Sequence, residues 1–241
     1  MDIEILSHFL LIGIVVLGIF TNSVDFNPIK FHCENYVLNT YLYFILSWAI
    51  VMATTVTLSK NNIAVSDIFS GPATILIFIG SLILMMAVYF TPPKLFFTKH
   101  FLYIAQIVLM GLFLYPYYVN NKVLFKHIAL STLALLITLT IVVFIMPNLV
   151  KDYWGAYLLI GILGILIARI IEVFANPKGV PMRSRAISYI SIVLFSLLVM
   201  YDTKKVIVNS QNCINPDYIN ESLNLFLDSL NLFQNNYLIN Q

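Results

Sequence analysis

The sequence contains few charged residues. Only 10% of its 241 residues are Asp, Glu, Lys or Arg, whereas soluble domains carry roughly 25%. Hydrophobic residues make up 60% of the chain, and the mean hydropathy is +0.91. So little polar surface cannot cover a globule of this length in water. The composition therefore predicts an integral membrane protein that is embedded in the lipid bilayer as its partner.

The sequence also lacks the motifs of several common functional classes. No GxxxxGKS, GxxxxGKT or GxGxxG run offers a phosphate-binding loop, and no CxxC or Cys/His cluster offers a metal site. The net charge is only +2, without a basic block, which excludes a nucleic-acid partner. No nucleophile–base pair is visible. We therefore expect no cofactor, no metal and no enzymatic activity.

Cysteine is scarce. The two cysteines, Cys33 and Cys213, lie far apart in the sequence, and no spacing motif links them. We expect two unpaired thiols, and a single disulfide between them is the alternative.

Long continuous apolar runs dominate the chain. A bilayer core about 30 Å thick needs about 20 apolar residues per helical pass, whereas barrel strands alternate polar and apolar residues. The runs here predict an all-α, polytopic transmembrane helical bundle of about seven core helices plus one N-terminal helix. Eight segments cover approximately residues 5–20, 37–58, 72–91, 96–119, 126–147, 153–175, 184–208 and 219–239.

The orientation of these segments in the membrane cannot be read from the positive-inside rule. Lysines and arginines occur equally often in alternate loops, so neither side is marked as cytoplasmic. The first segment, 5–20, is acidic before its apolar run, unlike a secretory signal, and is interpreted as a retained membrane helix. Its short length leaves a tilted or interfacial helix as the alternative.

Two aspartates lie within the last two segments. Charged side chains at mid-bilayer cost at least about 2.5–3.5 kcal/mol each, so they need a reason to be there. Asp202 lies near the end of its segment, where pairing with Lys204 or Lys205 is the simpler interpretation. Asp228 lies near the centre of the last segment, on one helical face with three asparagines: Asn224, Asn231 and Asn235. This stripe faces other helices or water, unless the segment lies along the membrane surface.

A third charged site combines Arg169 with Glu172. Their spacing of three residues near the end of the sixth segment allows a local ion pair. The simplest interpretation is that Arg169 extends towards the interface and pairs with Glu172, with no further role.

Two motifs at the C-terminus carry a family resemblance. Tyr201-Asp202-Thr203 stands on the seventh segment, and the run LFLDSLNLF stands on the eighth, at 225–233. Both motifs, in this order and spacing, resemble the last two helices of the Bax inhibitor family, the transmembrane Bax inhibitor motif proteins. Upstream, DYWGAYLLIGILGILIA is similar to a helix start of that family, and Gly111, Leu112 and Pro116 are similar to another of its helices.

The resemblance covers about residues 37–241. It implies two parts, an extra N-terminal membrane helix and loop at 1–36 and a Bax-inhibitor-like transmembrane domain at 37–241. It also implies a calcium-permeable leak channel, regulated by pH, that suppresses cell death. The expected location is an intracellular membrane, either of endoplasmic reticulum or Golgi type or the mitochondrial inner membrane. The family's paired aspartates, a proton-sensitive latch beside the ion path, correspond to Asp202 and Asp228.

The chain departs from the family pattern in two ways. Segment 5–20 is additional, and some members place an arginine on an early helix, whereas residues 37–92 hold only Lys60 as a basic residue. If a basic partner is required, it comes from elsewhere or the regulation is lost. The alternative function is a non-conducting structural subunit of a larger membrane assembly, such as a respiratory complex or viral envelope, with other membrane subunits as partners.

Helix geometry gives an expectation for the two aspartates. If the last two segments form an antiparallel hairpin, Asp202 lies six residues before the end of its segment at Val208. Asp228 lies nine residues after the start of its segment at Ile219. The offset of three residues corresponds to a difference in height of about 4–5 Å. Two carboxyl groups this close cannot both stay ionised cheaply, so we expect them to share a proton and titrate as a unit.

Overall fold

The structure, a computed structural model, describes residues 3–26, 29–175 and 181–241. Within these residues the chain forms eight long helices, and the all-α bundle predicted from the sequence is confirmed. The long helices are α1 (Ile3–Ser23), α2 (Tyr36–Lys60), α4 (Pro72–Phe90), α5 (Phe96–Asn120), α6 (Lys122–Ile145), α7 (Trp154–Ala175), α8 (Pro181–Gln211) and α9 (Tyr218–Ile239). Two features were not predicted, the short helix α3 (Val65–Ile68) and an antiparallel hairpin of β1 (Val24–Phe26) and β2 (Ile29–Phe31).

Asparagine and proline set the ends of the early helices. Asn35 precedes α2 with φ 52°, and Asn62 follows it with φ 53°, both in the left-handed region that asparagine tolerates better than most residues. Pro72 opens α4, where its missing amide hydrogen is not needed. These local signals turn one continuously hydrophobic sequence into separate helices.

Seven of the eight long helices described by the structure are long and apolar enough to cross a membrane. The remaining one is α9, whose acidic residues and asparagines lower its hydropathy. No side chain of α9 is exposed, whereas α4 and α7 expose most of their apolar side chains. A helix enclosed by protein does not need lipid-facing residues, so α9 differs in composition from the helices that the bilayer contacts.

The chain divides into two compact units. The first unit comprises Met1–Lys122 and Asn209–Leu223. In it α2 packs against α1 and α5, and α5 packs against α4. A Cβ atom at Gly111 of α5 would lie 2.8 Å from the Cβ atom of Thr54, so glycine is what allows α5 and α2 to approach this closely. The unit's fully buried residues include Tyr43, Val51, Tyr103, Ile107 and Leu114.

The second unit comprises Val123–Val208 and Asn224–Gln241. One part of its core is a cluster of Val143, Val150 and Met200, against which Trp154 and Tyr201 pack. In another part, the rings of Phe125 and Phe233 lie with their centroids 4.8 Å apart. Aromatic packing of this kind fixes α9 against α6 within the unit.

Cys33 and Cys213 form a disulfide, so the expectation of two unpaired thiols is wrong. Cys33 lies between the hairpin and α2, and Cys213 lies in the turn between α8 and α9. The two cysteines are 180 residues apart in the sequence, so no local motif could indicate that they pair. Only the fold brings them together. Within the first unit, the bridge holds the α8–α9 turn to the segment that precedes α2.

A buried ion pair lies in the same unit. Lys99 of α5 is fully buried, and its ammonium group lies 2.5 Å from a carboxylate oxygen of Asp217 and donates to the carbonyl oxygen of Thr91 at 2.8 Å. The other Asp217 oxygen accepts from the amide nitrogen of Asn220 in the first turn of α9. A charge without access to water needs such partners, so Asp217 both caps α9 and neutralises Lys99.

The disulfide leads to a direct prediction. Replacing both cysteines by serine frees a chain segment of 180 residues, and we expect the folded protein to lose about 2–4 kcal/mol of stability. Thermal unfolding of the detergent-solubilised protein measures this loss. In the unmodified chain, a maleimide–polyethylene glycol reagent is expected to react with both thiols only after reduction. Reaction without reduction contradicts the bridge.

The buried ion pair makes a second prediction. The Asp217→Asn variant keeps an oxygen for the helix cap but leaves the Lys99 charge buried, so we expect it to cost about 3–5 kcal/mol of unfolding free energy. Lys30 and Asp25 form a matched control, because their nitrogen–oxygen distance is 3.8 Å and their side chains are 59% and 48% exposed. The control variant Asp25→Asn is expected to cost at most about 1 kcal/mol. Equal losses in the two variants contradict the assignment.

Candidate functional site

The polar stripe of α9 is enclosed by protein. Asp228 is 8% exposed and Asn235 7%, while Asn224 and Asn231 are half-buried. This burial excludes the alternative of an amphipathic helix lying along the membrane surface, because such a helix would expose its polar face to water. The stripe faces the protein interior, as the cost of polar groups in lipid requires.

Asp202 and Asp228 are brought together by α8 and α9. Within the second unit, the carboxyl group of Asp202 lies close enough to that of Asp228 to interact with it directly. Asp202 is half-buried, and one carboxylate oxygen of Asp228 is fully enclosed without a hydrogen-bond partner. A hydrogen bond between two carboxyl groups requires a proton on one of them, and the shared proton stays a prediction. The near contact expected from the helical offset is present in the structure.

The simpler interpretation, in which Asp202 pairs with Lys204 or Lys205, does not account for its interaction with Asp228. The ammonium group of Lys204 instead donates to the carboxylate of Asp152 at 2.6 Å and to the carbonyl oxygen of Val150 at 2.8 Å. Both partners belong to the segment before α7. Lys204 therefore ties the end of α8 to this segment, which leaves Asp202 facing α9.

The residues next to Asp202 in the sequence hold it in place. Thr203 is fully buried, and Tyr201 packs against the second unit's hydrophobic cluster. The phenol of Tyr201 also occupies the space above Gly155, where a Cβ atom would lie 2.5 Å from the phenolic oxygen. Glycine at the start of α7 therefore makes room for Tyr201. The Tyr-Asp-Thr motif thus has a packing residue on each side of its carboxyl group.

Two asparagines of the stripe, Asn231 and Asn235, turn their amide nitrogens towards their own helix. Nδ2 of Asn231 donates to the carbonyl oxygen of Leu227, and Nδ2 of Asn235 donates to that of Asn231, both at 2.8 Å. The side-chain oxygens then remain for other partners. Together with the aspartates they provide an oxygen-rich face, and oxygen ligands are the ones that hard cations such as Ca²⁺ prefer.

Arg169 joins this face from α7. Its Nη2 atom donates to Oγ of Ser188 on α8 and to Oδ1 of Asn235 on α9, both at 2.8 Å. The guanidinium therefore has interior partners in addition to any local one. The side chain of Glu172 lies outside the described residues, so the expected pair with Arg169 stays a prediction.

The sequence analysis did not identify Ser188 or Gly155 as parts of the site. A signal for Ser188 was available, since it precedes Asp202 by fourteen residues, about four helical turns, and so shares its face of α8. No comparable signal existed for Gly155, because its role depends on which side chain meets it from another helix.

Comparisons with known proteins point to one family. No curated protein matches the chain. A family model described as inhibitor of apoptosis-promoting Bax1 matches residues 33–239, which leaves α1 and the hairpin outside the match. The matched region contains both motifs that carry the resemblance, on α8 and α9. With its long apolar helices, the chain is therefore a multi-pass membrane protein that belongs to the Bax inhibitor family.

Proposed function

We propose that this protein is a pH-regulated calcium leak that opposes cell death. The observation that carries the proposal is the close pair of carboxyl groups of Asp202 and Asp228 inside the second unit. Acidic residues buried in a membrane protein are rare and commonly mark ion or proton pathways. Membership of the Bax inhibitor family supports the same activity.

The shared proton acts as a latch in this proposal. While one proton bridges Asp202 and Asp228, the two carboxyl groups attract each other and hold α8 against α9. When the proton leaves, two negative charges face each other at contact distance, and their repulsion favours separation of the helices. The closed state therefore binds one proton more than the open state, so a rise in pH shifts the equilibrium towards the open state.

The oxygen-bearing face of α9 provides the route for the ion. Asn224, Asp228 and Asn231 are spaced so that they follow one another along one side of the helix. Two ionised aspartates would attract a divalent cation, and the amide oxygens would replace part of its hydration shell. In this mechanism the protein transports and does not catalyse, and it uses no cofactor.

The disulfide supports an assignment of compartment. Disulfides persist in oxidising environments such as the lumen of the endoplasmic reticulum and are rare in the cytosol. We propose that the protein resides in a membrane of endoplasmic reticulum or Golgi type, with Cys33 and Cys213 on the luminal side. Helix α2 begins just after Cys33 and its 25 residues extend about 37 Å, enough to cross the bilayer, so the α2–α3 loop faces the cytosol.

Neutralising either aspartate should remove the pH response. In liposomes loaded with a calcium indicator, we expect the unmodified protein to leak more at alkaline than at mildly acidic pH. Asp202→Asn and Asp228→Asn should each abolish this difference, because a carboxamide hydrogen-bonds to a carboxyl group without needing a shared proton. The control Asp25→Asn neutralises a 48% exposed carboxylate away from the pair and should leave the pH profile unchanged.

Two results would contradict the latch. If both aspartate variants keep the unmodified pH profile, the pair does not control conduction. If the unmodified protein passes no calcium at any pH, the alternative of a non-conducting structural subunit replaces the leak.

The compartment assignment has its own test. In a variant lacking both native cysteines, a new cysteine at Ile214, which is 86% exposed, should react with a membrane-impermeant maleimide only after the microsomes are permeabilised. A cysteine at the exposed residue Asn61 should react in intact microsomes. The opposite labelling pattern contradicts the assignment.

A further inference from the structure

Arg169 connects three helices at one end of the polar face. It stands on α7, and Nη2 holds Ser188 of α8 and Asn235 of α9 at 2.8 Å each. Ser188 is fully buried and Asn235 is 7% exposed, so the guanidinium enters the interior of the second unit. Arginine remains charged in every protein environment, and this side chain therefore places a permanent positive charge there.

The position of this charge along α9 is defined by its partner. Asn235 follows Asp228 by seven residues, which corresponds to about 10 Å along the helix axis, with Asn231 between them. Arg169 itself lies six residues, or about 9 Å, before the end of α7 at Ala175. The guanidinium thus lies on the same oxygen-bearing face as Asp228, between that aspartate and the C-terminal end of α9.

We propose that Arg169 is the charge gate of the pathway. In this arrangement the guanidinium donates to the side-chain oxygen of Asn235, which is the last oxygen of the stripe. A passing cation would otherwise bind that oxygen. A cation moving along the stripe meets a fixed positive charge and an occupied ligand at this point. Conduction requires Arg169 to release Asn235. This inference rests on the proposed leak activity and assigns the block to a residue other than the aspartate latch.

The magnitude of the electrostatic barrier follows from Coulomb's law. At about 10 Å and an effective dielectric constant near 20, repulsion between a guanidinium and a monovalent cation changes a rate by roughly tenfold, and a divalent cation feels more. Removing the charge while keeping the hydrogen bonds should therefore raise the calcium leak by at least about tenfold. A role in packing alone predicts no difference between charged and neutral replacements that fold equally well.

The experiment measures calcium flux through reconstituted liposomes at an alkaline pH, where the latch is open and Arg169 is the remaining barrier. Arg169→Gln removes the charge and retains amide donors for Ser188 and Asn235, and we expect its calcium flux to rise at least about tenfold. Arg169→Lys keeps the charge and should stay within about twofold of the unmodified protein. The matched control is Arg185→Gln, which removes an exposed charge from α8 and should change nothing. Intact Cys33–Cys213 bridging and unchanged thermal unfolding confirm that each variant is folded.

The outcomes separate the gate from the leak itself. Flux that rises in the glutamine variant but not in the lysine variant supports the gate. If the unmodified protein conducts and the glutamine variant conducts equally, the gate is wrong and the leak stands. If both replacements leak equally, Arg169 only holds the three helices together, which also overturns the gate. If no variant conducts, both the leak and the gate are wrong.

Discussion

The cost of placing polar groups in hydrocarbon determines how this chain is arranged. Helix α9 carries Glu221, Asp228 and the asparagine stripe, and none of its side chains is exposed. If these groups faced acyl chains, each would lose hydrogen bonds with water without replacing them, at a cost of several kcal/mol per group. Among the described residues, the one long helix too polar to cross a membrane is therefore the most enclosed one, and helices such as α4 and α7 supply the apolar surface that the bilayer contacts.

Enclosure of α9 creates different polar contacts in the two units. In the first unit, Asp217 caps the start of α9 and neutralises the buried Lys99, close in sequence to the disulfide at Cys213. Covalent and ionic links of this kind give a unit few alternative arrangements. In the second unit, the contacts are the close pair of Asp202 and Asp228 and the hydrogen bond from Arg169 to Asn235. These can be exchanged for contacts with water or an ion, which is what the proposed pathway needs.

The aspartate pair and Arg169 contact α9 at separate positions, so the proposed pathway has two separate barriers. In the proposed mechanism the carboxyl pair responds to the proton concentration, whereas Arg169 keeps its charge at every physiological pH. A proton-sensitive element alone would make the leak depend only on pH. A permanent charge further along the same face adds a barrier that depends on the positions of α7, α8 and α9. Substitutions can therefore separate the two elements experimentally.

The sequence alone determined the fold class, the long helices and the residues of the polar stripe. These follow from hydrophobic run length, helix-breaking residues and helical periodicity, which are local properties. Only the tertiary structure decided which groups meet across helices. Cys33 forms a disulfide with Cys213, and Tyr201 packs over Gly155. Lys204 contacts Asp152, and Arg169 contacts Ser188 and Asn235. Such pairings depend on how each helix rotates about its axis and which neighbour it meets. A bilayer contacts any apolar face equally well, so hydrophobicity does not specify that rotation.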